Sequence, residues 1–268
     1  MLFPTTLCIV RGGGDLATGV IYRLQRAGLP VIVLELERPR VVRRLVSVAQ
    51  AMFSGETSVG DLAARRMTLP VAADSVAAAS TLIPVVADPD GEAIRRLQPS
   101  VVVDARMTKA PSDTRIDSAP FVVGLGPGFT AGVDCHAVIE TNRGHDLGRV
   151  IWRGVAQPDT GRPESVLGYD TQRVLRAPVA GVLRAVKEIG DIVQAGETVA
   201  HVAGHEVAAP FGGALRGLMH DGLAVSAGEK IGDLDPRGRR EACFTISDKS
   251  LAIGGGAVEA VLTWLQRM

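Results

Sequence analysis

The sequence has few aromatic residues, no net charge and no long apolar segment. Phe, Trp and Tyr make up 4% of its 268 residues, so the core must be built from Val, Ala, Leu and Ile. The 29 basic residues balance 29 acidic ones, which gives no electrostatic reason to expect nucleic acid or an anionic membrane as a partner. No run of about eighteen apolar residues occurs, so we expect no membrane-spanning helix.

Cysteine is also scarce. Cys8, Cys135 and Cys243 are odd in number and widely spaced, which argues against a disulfide framework and is typical of a reducing compartment. Residues 1–10 contain neither a basic stretch nor a small-residue cleavage site. We therefore expect no signal peptide and a cytoplasmic location.

The first part of the chain alternates short apolar runs with helical segments. A helix is predicted at 16–27, with apolar residues on one face and Gly28 as the stop. Strands are predicted at 7–11, 31–36, 82–87, 101–104 and 121–124, with weaker helices at 72–80 and 91–97. Continuous apolar strands between helices predict an α/β fold, with a Rossmann-like parallel sheet in a ligand-binding domain at 1–156.

The pattern changes along the rest of the chain. Two strands at 133–141 and 148–154, joined by a turn, predict a β-hairpin extension of the first domain. Short strands and glycine turns predict a small all-β domain at 157–236. A strand at 242–246 and a final helix predict a C-terminal segment, 237–268, that can pack back on the first domain.

The small β domain contains an internal duplication. Seven residues recur 32 positions later, namely Pro178, Gly181, Leu183, Gly190, Val193, Gly196 and Glu197 as Pro210, Gly213, Leu215, Gly222, Val225, Gly228 and Glu229. The glycines suit turns, and the apolar positions alternate as in half-buried strands. Neither half can bury a core alone, so we expect the two halves to pair.

These repeated segments resemble the biotinyl/lipoyl family, which implies a barrel-sandwich hybrid domain. Carriers of that family present a modified lysine on the hairpin between the halves. Here the corresponding segment 202–208 contains no lysine, and His205 occupies the turn region. Lys187 and Lys230 lie within the halves instead. We therefore do not expect this chain to be a biotinyl, lipoyl or acyl carrier.

A glycine loop near the N-terminus is the first candidate binding element. Gly12, Gly13, Gly14 and Asp15 follow a predicted strand and open a predicted helix. Such a loop lets backbone N–H groups approach a phosphate. Glu35 ends the second strand, where a ribose-binding acid of a dinucleotide site is expected. The alternative is a loop that only makes a tight turn.

Polar and glycine residues follow two further strands. Asp104 ends a predicted strand and Lys109 comes soon after it, while Gly126, Gly128 and Thr130 belong to a second glycine loop. Ligands of open parallel sheets bind outside the carboxyl ends of the strands, and glycine-loop amides can hold anions. We expect these residues to surround a ligand together with the first glycine loop. Loop capping is the alternative role.

No metal-binding or catalytic pattern is evident. Cys135 and His136 are adjacent, so in a strand their side chains point to opposite faces. Metal-ligand spacings such as CxxC and HExxH do not occur. We expect no metal site, and no catalytic residue can be assigned. Near the C-terminus, Ser247 or Asp248 is predicted to cap the final helix, whose glycines at 254–256 suit close packing.

Longer motifs carry a second resemblance. Segments 11–19, 124–132, 138–149, 235–237 and 246–249 are similar to those of the YqeB family, which is grouped with selenium-dependent molybdenum hydroxylase systems. The resemblance covers nearly the whole chain. It implies an accessory or maturation role, with a molybdenum hydroxylase or its maturation proteins as partners, and it assigns no catalytic residue.

Together these features predict an accessory protein that binds a nucleotide or a nucleotide-bearing cofactor, such as NAD(P), ATP or molybdopterin dinucleotide. Two alternatives stay open. One is an NAD(P)-dependent oxidoreductase in which Asp104 or Lys109 donates a proton, although the sequence lacks a Tyr-x-x-x-Lys motif. The other is a protein-interaction module without a small ligand. The sequence also leaves a homo-oligomer open.

Overall fold

The computed structural model describes residues 1–69, 82–108, 112–161 and 165–267. The chain divides into two compact units. The first consists of Met1–Pro39, Val48–Asp159 and Ile246–Met268, and the second of Arg40–Ser47 and Thr160–Thr245. Lys109 and the whole helix predicted at 72–80 lie outside the described residues.

The first unit is built on a mixed sheet. Its strands are β1 (Cys8–Arg11), β2 (Val31–Glu35), β3 (Glu56–Val59), β4 (Leu62–Met67), β5 (Leu82–Ala87), β6 (Val101–Asp104), β7 (Phe121–Leu125), β8 (Thr130–Ala131), β9 (Ala137–Ile139), β10 (Val150–Ile151) and β11 (Gly154–Val155). Among the described residues, nine of them form one sheet in the order β10-β9-β7-β6-β1-β2-β5-β4-β3, and β8 and β11 pair separately.

This sheet corrects the predicted fold class. The pairings from β9 across to β4 are parallel, but β10 and β3 join the two edges in antiparallel orientation. The prediction of a Rossmann-like parallel sheet with a barrel-sandwich hybrid domain is therefore wrong. The structure has a large mixed sheet and several antiparallel sheets. Short, partly exposed edge strands do not have the continuous apolar pattern on which the prediction rested.

Helices cover both faces of the mixed sheet. They are α1 (Asp15–Arg26), α2 (Ala51–Ser54), α3 (Glu92–Leu97) and α4 (Asp248–Leu265). Side chains of α1 and α4 share one apolar core with the sheet, whereas Ala93 of α3 belongs to the core on the other face. Within the described ranges, no helix has the length and hydropathy needed to cross a membrane.

The C-terminal helix is fixed by its cap and by close contact with α1. The Ser250 amide donates to Ser247 Oγ at 3.1 Å, which confirms the predicted cap. A Cβ atom added to Gly19 would lie closer than 3.0 Å to the backbone of Ser250, and one added to Gly254 would meet Gly19 equally closely. The two helices therefore cross with almost no space between their backbones.

The second unit contains two antiparallel sheets. Its strands are β12 (Val174–Arg176), β13 (Gly181–Ala185), β14 (Ile192–Val193), β15 (Thr198–Val202), β16 (His205–Ala208), β17 (Gly213–Leu218), β18 (Ala224–Val225) and β19 (Lys230–Asp235). They pair in the orders β12-β19-β17-β14 and β16-β15-β13-β18. Where a strand was predicted at 242–246, the chain forms a 3-10 turn at Arg240–Cys243 instead.

The sequence duplication is confirmed as a duplication of strands. β13 and β17 begin at residues 181 and 213, and β14 and β18 at 192 and 224, so both pairs keep the spacing of 32. Each half lends a strand to the other, because β13 pairs with β18 and β14 pairs with β17. Neither four-stranded sheet is complete without both halves.

Candidate functional site

The N-terminal glycine loop lies where the connections of the mixed sheet diverge. β1 pairs with β2 on one side and with β6 on the other. The chain leaves β1 toward β2 and later returns to β6, so the switch point, where a binding crevice is expected, lies between the carboxyl ends of β1 and β6. Ligands of open α/β sheets bind at such a topological switch point.

Glycine is required in this loop because of its backbone geometry. Gly12 has φ +93°, and a Cβ atom there would lie 3.3 Å from the backbone of Ala105 and Arg106, the residues that follow β6. A Cβ atom on Gly13 would lie 3.0 Å from the amide nitrogen of Ala49. The loop thus packs directly against the neighbouring backbone and lines the crevice with main-chain atoms.

Glu35 binds the glycine loop itself. One carboxylate oxygen accepts a hydrogen bond from the Gly13 amide at 2.8 Å, and the other accepts one from the Leu36 amide at 2.7 Å. Burial raises the pKa of Glu35, while the bonds from Leu36 and Gly13 oppose that increase. The Glu35 carboxylate therefore already accepts from one of the amides that a phosphate-binding loop would offer to its ligand.

The first turn of α1 provides further backbone donors. Gly14 is its N-cap residue, with extended backbone angles and no side chain to accept from the helix amides. The first amides of a helix have no acceptor within the helix and favour anions. Thr18 anchors this end, because its Oγ1 donates to the Gly14 carbonyl at 2.8 Å and accepts from the Val48 amide at 3.0 Å.

A polar network surrounds Asp104 at the end of β6. Its carboxylate is 1% exposed and accepts from Arg106 Nη2 at 2.6 Å and Nε at 3.1 Å. Hydroxyl groups of Ser112 and Thr114 donate to it at 2.7 and 2.6 Å. Five potential donors, counting the Arg106 amide at 3.2 Å, therefore converge on one buried carboxylate.

Arg11 and Asp113 extend this network to the end of β1. The Arg11 guanidinium donates to both carboxylate oxygens of Asp113 at 3.0 and 2.9 Å and to the Pro89 carbonyl at 3.0 Å. Arg106 Nη2 also lies 2.6 Å from Asp113. Two arginines and two aspartates thus alternate, so the network has no formal net charge and ties residues 112–114 to the sheet.

Asp104 is suited to remain ionised. Burial alone would raise its pKa, but the hydrogen bonds and charge of Arg106, with the hydroxyls of Thr114 and Ser112, outweigh burial and lower it. The pKa of Asp113 is also lowered, because hydrogen bonds from Arg11 and Arg106 outweigh its partial burial. A carboxylate held in this way is a poor proton donor, which disfavours the oxidoreductase role considered for Asp104.

We expect acid to destabilise the protein through this network. A group with a lowered folded pKa contributes stability that is complete above the ordinary carboxyl pKa of about 4 and lost as pH falls through the folded value. The urea midpoint should therefore fall below about pH 4, and Asp113→Asn should reduce that fall. If both proteins showed the same pH profile, the ionised network would not contribute to stability.

The second glycine loop begins beside the segment that follows β6. Gly126 has φ +68°, and a Cβ atom there would meet Met107 Cε at 3.3 Å and the Thr141 hydroxyl. Gly128 follows with φ +107°. Thr130 is held in a turn, because its amide donates to Asp134 at 2.7 Å. The segment after β6 thus separates the two glycine loops.

A cavity of about 1030 Å³ lies next to the arginine–aspartate network. Arg11 and Asp113 form part of its lining, with Gly91, Ile94 and Arg95. Small-molecule sites typically measure about 300–1,000 Å³. The first unit therefore has room for a ligand of nucleotide size beside Arg11.

The predicted binding residues are only partly brought together. The group at the carboxyl ends of β1, β2 and β6 comprises Gly12, Gly13, Gly14, Glu35 and Asp104. Asp15 lies in the first turn of α1, whereas Gly128 and Thr130 lie farther along their loop. The residues that sequence reasoning missed are Arg11, Arg106, Ser112, Asp113 and Thr114. Of these, only Arg11 could have been found from the sequence, because it is a charged residue at the end of an otherwise apolar strand.

Cys135 and His136 have structural environments. Burial raises the pKa of the Cys135 thiol to about 12. His136 Nδ1 accepts from the Val122 amide at 3.0 Å, and burial lowers the pKa of the ring. In the described ranges, no three His, Cys, Asp or Glu side chains are grouped so that they could hold a metal ion.

Comparison with known proteins supports the resemblance to the YqeB family. The chain is 49% identical over 256 residues to "Uncharacterized protein YqeB" of Escherichia coli, a match that covers 96% of this chain and 47% of that protein. The chain thus spans about half the length of the curated relative that it matches. No protein-family model matches the chain.

Solved structures give only a weak likeness. An aspartoacylase family protein from Mesorhizobium loti is 14% identical over 87% of this chain and 86% of its own, with a TM-score of 0.29. A succinylglutamate desuccinylase/aspartoacylase from Rhodobacter sphaeroides is 13% identical over 86% and 85%, with a TM-score of 0.25. These structures lend no support to the Rossmann-like prediction, and scores this low say nothing about activity.

Proposed function

We propose that this chain is an accessory protein of a molybdenum hydroxylase system and binds the phosphate groups of a nucleotide or nucleotide-bearing cofactor. The observation that carries the binding proposal is the position of the first glycine loop. It lies at the topological switch point, against the backbone of Ala105 and Arg106. The choice of system rests on the resemblance of the sequence motifs to the YqeB family.

The chemistry of the crevice favours phosphate over other groups. Its donors are backbone amides at the start of α1, which bind anions without adding a formal charge. Since Arg11 and Arg106 are already paired with Asp113, the guanidinium groups are not its main anion donors. NAD(P), ATP and molybdopterin dinucleotide all contain a phosphate chain that such amides can bind.

Gly14→Asp tests the site. Its extended backbone angles suit an aspartate cap, so the carboxylate would accept from the first helix amides and repel phosphate. We expect unchanged or slightly higher thermal stability and at least about a tenfold loss of affinity. Calorimetry with ATP, NAD(P) and molybdopterin dinucleotide provides the measurement.

Gly14→Asn is the matched control. It supplies the same kind of cap without the negative charge, so its affinity should lie between those of the wild type and Gly14→Asp. Failure of the wild-type protein to bind any of the three ligands would contradict the binding proposal. So would full binding by Gly14→Asp.

A protein-interaction role without a small ligand is the second candidate. It is favoured by one observation, the carboxylate of Glu35 on the Gly13 amide. Co-purification with a molybdenum hydroxylase or its maturation proteins, together with no ligand binding, would select this role. Absence of both binding and co-purification would contradict the accessory role in either form.

A further inference from the structure

A cluster of arginine side chains is buried inside the second unit. Arg173 Nη2 lies 3.5 Å from Asp233 Oδ2, and Arg216 Nη1 lies 4.0 Å from the same oxygen. Arg43 is close enough to act electrostatically on Arg216. The side chains of Arg173 and Arg216 are 7% and 16% exposed, and Arg43 is buried as well. Two guanidinium groups therefore share one carboxylate, and a third, that of Arg43, lies near Arg216 and donates to the Ala242 carbonyl at 3.3 Å.

Asp235 is the second carboxylate whose charge acts on Arg216, and it is shared with a fourth arginine. Asp235 is bound by Arg237, whose Nε and Nη2 lie 2.9 and 2.6 Å from the carboxylate oxygens. Cys243 adds no charge, because burial raises the pKa of its thiol. Buried charges require counter-charges, and here Arg43, Arg173, Arg216 and Arg237 face two carboxylates, Asp233 and Asp235.

One hydrogen-bond donor of Arg216 is unsatisfied. Its Nε atom is buried and has no hydrogen-bond partner in the part of the chain that the structure describes. Burial lowers the pKa of Arg216, and the charge of Arg43 lowers it further. Buried donors are almost always satisfied in proteins, so this atom marks the place of a missing acceptor.

The duplication shows that the repeated strands form without a buried arginine at the position of Arg216. The counterpart of Arg216 in the first half is Arg184, which is 66% exposed and pairs with Asp221 at 3.3 Å. The counterpart of Asp233 is His201, 32 residues earlier. Both halves form the same strands. The buried position of Arg216 is therefore a property of the second half and not a requirement of the repeat, whereas Arg173 and Arg43 reach it from outside that half.

We propose that Arg43, Arg173 and Arg216 bind a small tetrahedral oxyanion of the phosphate and sulfate class inside the second unit. Such an ion supplies the acceptor that Arg216 Nε lacks and relieves the repulsion among the three guanidinium groups. Planar guanidinium groups are well matched to tetrahedral oxyanions. This site is independent of the nucleotide site proposed in the first unit.

The test compares inorganic phosphate with chloride at equal ionic strength on the full chain. We expect phosphate to raise the melting temperature by several degrees and to bind in calorimetry. Arg216→Gln should lose both effects, and Arg216→Lys should retain part of them. Arg184→Gln is the matched control, because it makes the same change at the exposed counterpart and should respond like the wild type.

Chloride alone gives a second readout. If the arginines repel one another when no oxyanion is bound, Arg216→Gln should be as stable as the wild type in chloride or more stable. Loss of stability by an equal amount in chloride and phosphate would show a structural ion pair and overturn the proposal. An equal phosphate response in the wild type and Arg216→Gln, or no response in either, would also overturn it.

Discussion

Gly19→Ala is expected to destabilise the protein by about 3 kcal/mol or more, although alanine is the better helix former. The added Cβ atom would lie closer than 3.0 Å to the carbonyl group and Cβ of Ser250. Backbone atoms cannot move aside as a flexible side chain can, so α1 and α4 must separate. Because this crossing holds α4 in the core shared with the sheet, urea unfolding should report a large loss.

Gly255→Ala is the matched control for this crossing. Gly255 lies in α4 beside Gly254, is exposed, and has open space where a Cβ atom would be. The same substitution should therefore stabilise the protein by about 0.5–1 kcal/mol through helix propensity alone. Gly254→Ala should behave like Gly19→Ala. Equal effects at positions 19 and 255 would show that the close crossing does not limit stability.

Asp104→Ala is expected to destabilise the protein by about 3–5 kcal/mol, the usual range for removing one partner of a buried ion pair. The change leaves Arg106 without its buried carboxylate and deprives Ser112 and Thr114 of an acceptor. Asp104→Asn keeps the shape but not the charge, so we expect a smaller loss. Chemical unfolding monitored by circular dichroism measures both.

Asp117→Ala provides the comparison for Asp104. Asp117 is 75% exposed and pairs with Arg115 at 3.5 Å, an arrangement that contributes little to stability. We expect a change within about 0.5 kcal/mol. A small effect of Asp104→Ala, similar to that of Asp117→Ala, would mean that the network tolerates the loss of its central carboxylate.

The sequence predicted the centre of the first unit well. The strands expected at 82–87 and 101–104 match β5 and β6, and the helix expected at 16–27 matches α1 within one residue. Buried strands are continuously apolar and the helix has a clear stop, so these signals are local. The same reasoning missed the hairpin of β3 and β4, although its turn contains Gly60 with φ +61°.

The candidate site was less accessible to sequence reasoning. The first glycine loop could be found because glycines between a strand and a helix form a local pattern. The pairing of Arg11 with Asp113 joins residues 102 positions apart, and nothing in the sequence around either residue indicates it. The bond from Glu35 to Gly13 depends on the exact approach of two loops, which spacing alone does not determine.

The exchange of strands between the two halves of the second unit also has a consequence for its history. A single repeat lacks the strand that its sheet needs, but two identical chains could supply it to each other as a symmetric dimer. Joining both copies in one chain removes the requirement that they stay identical. One copy could then keep an exposed Arg184 while the other enclosed Arg216, so that symmetry in the backbone coexists with asymmetry in charge.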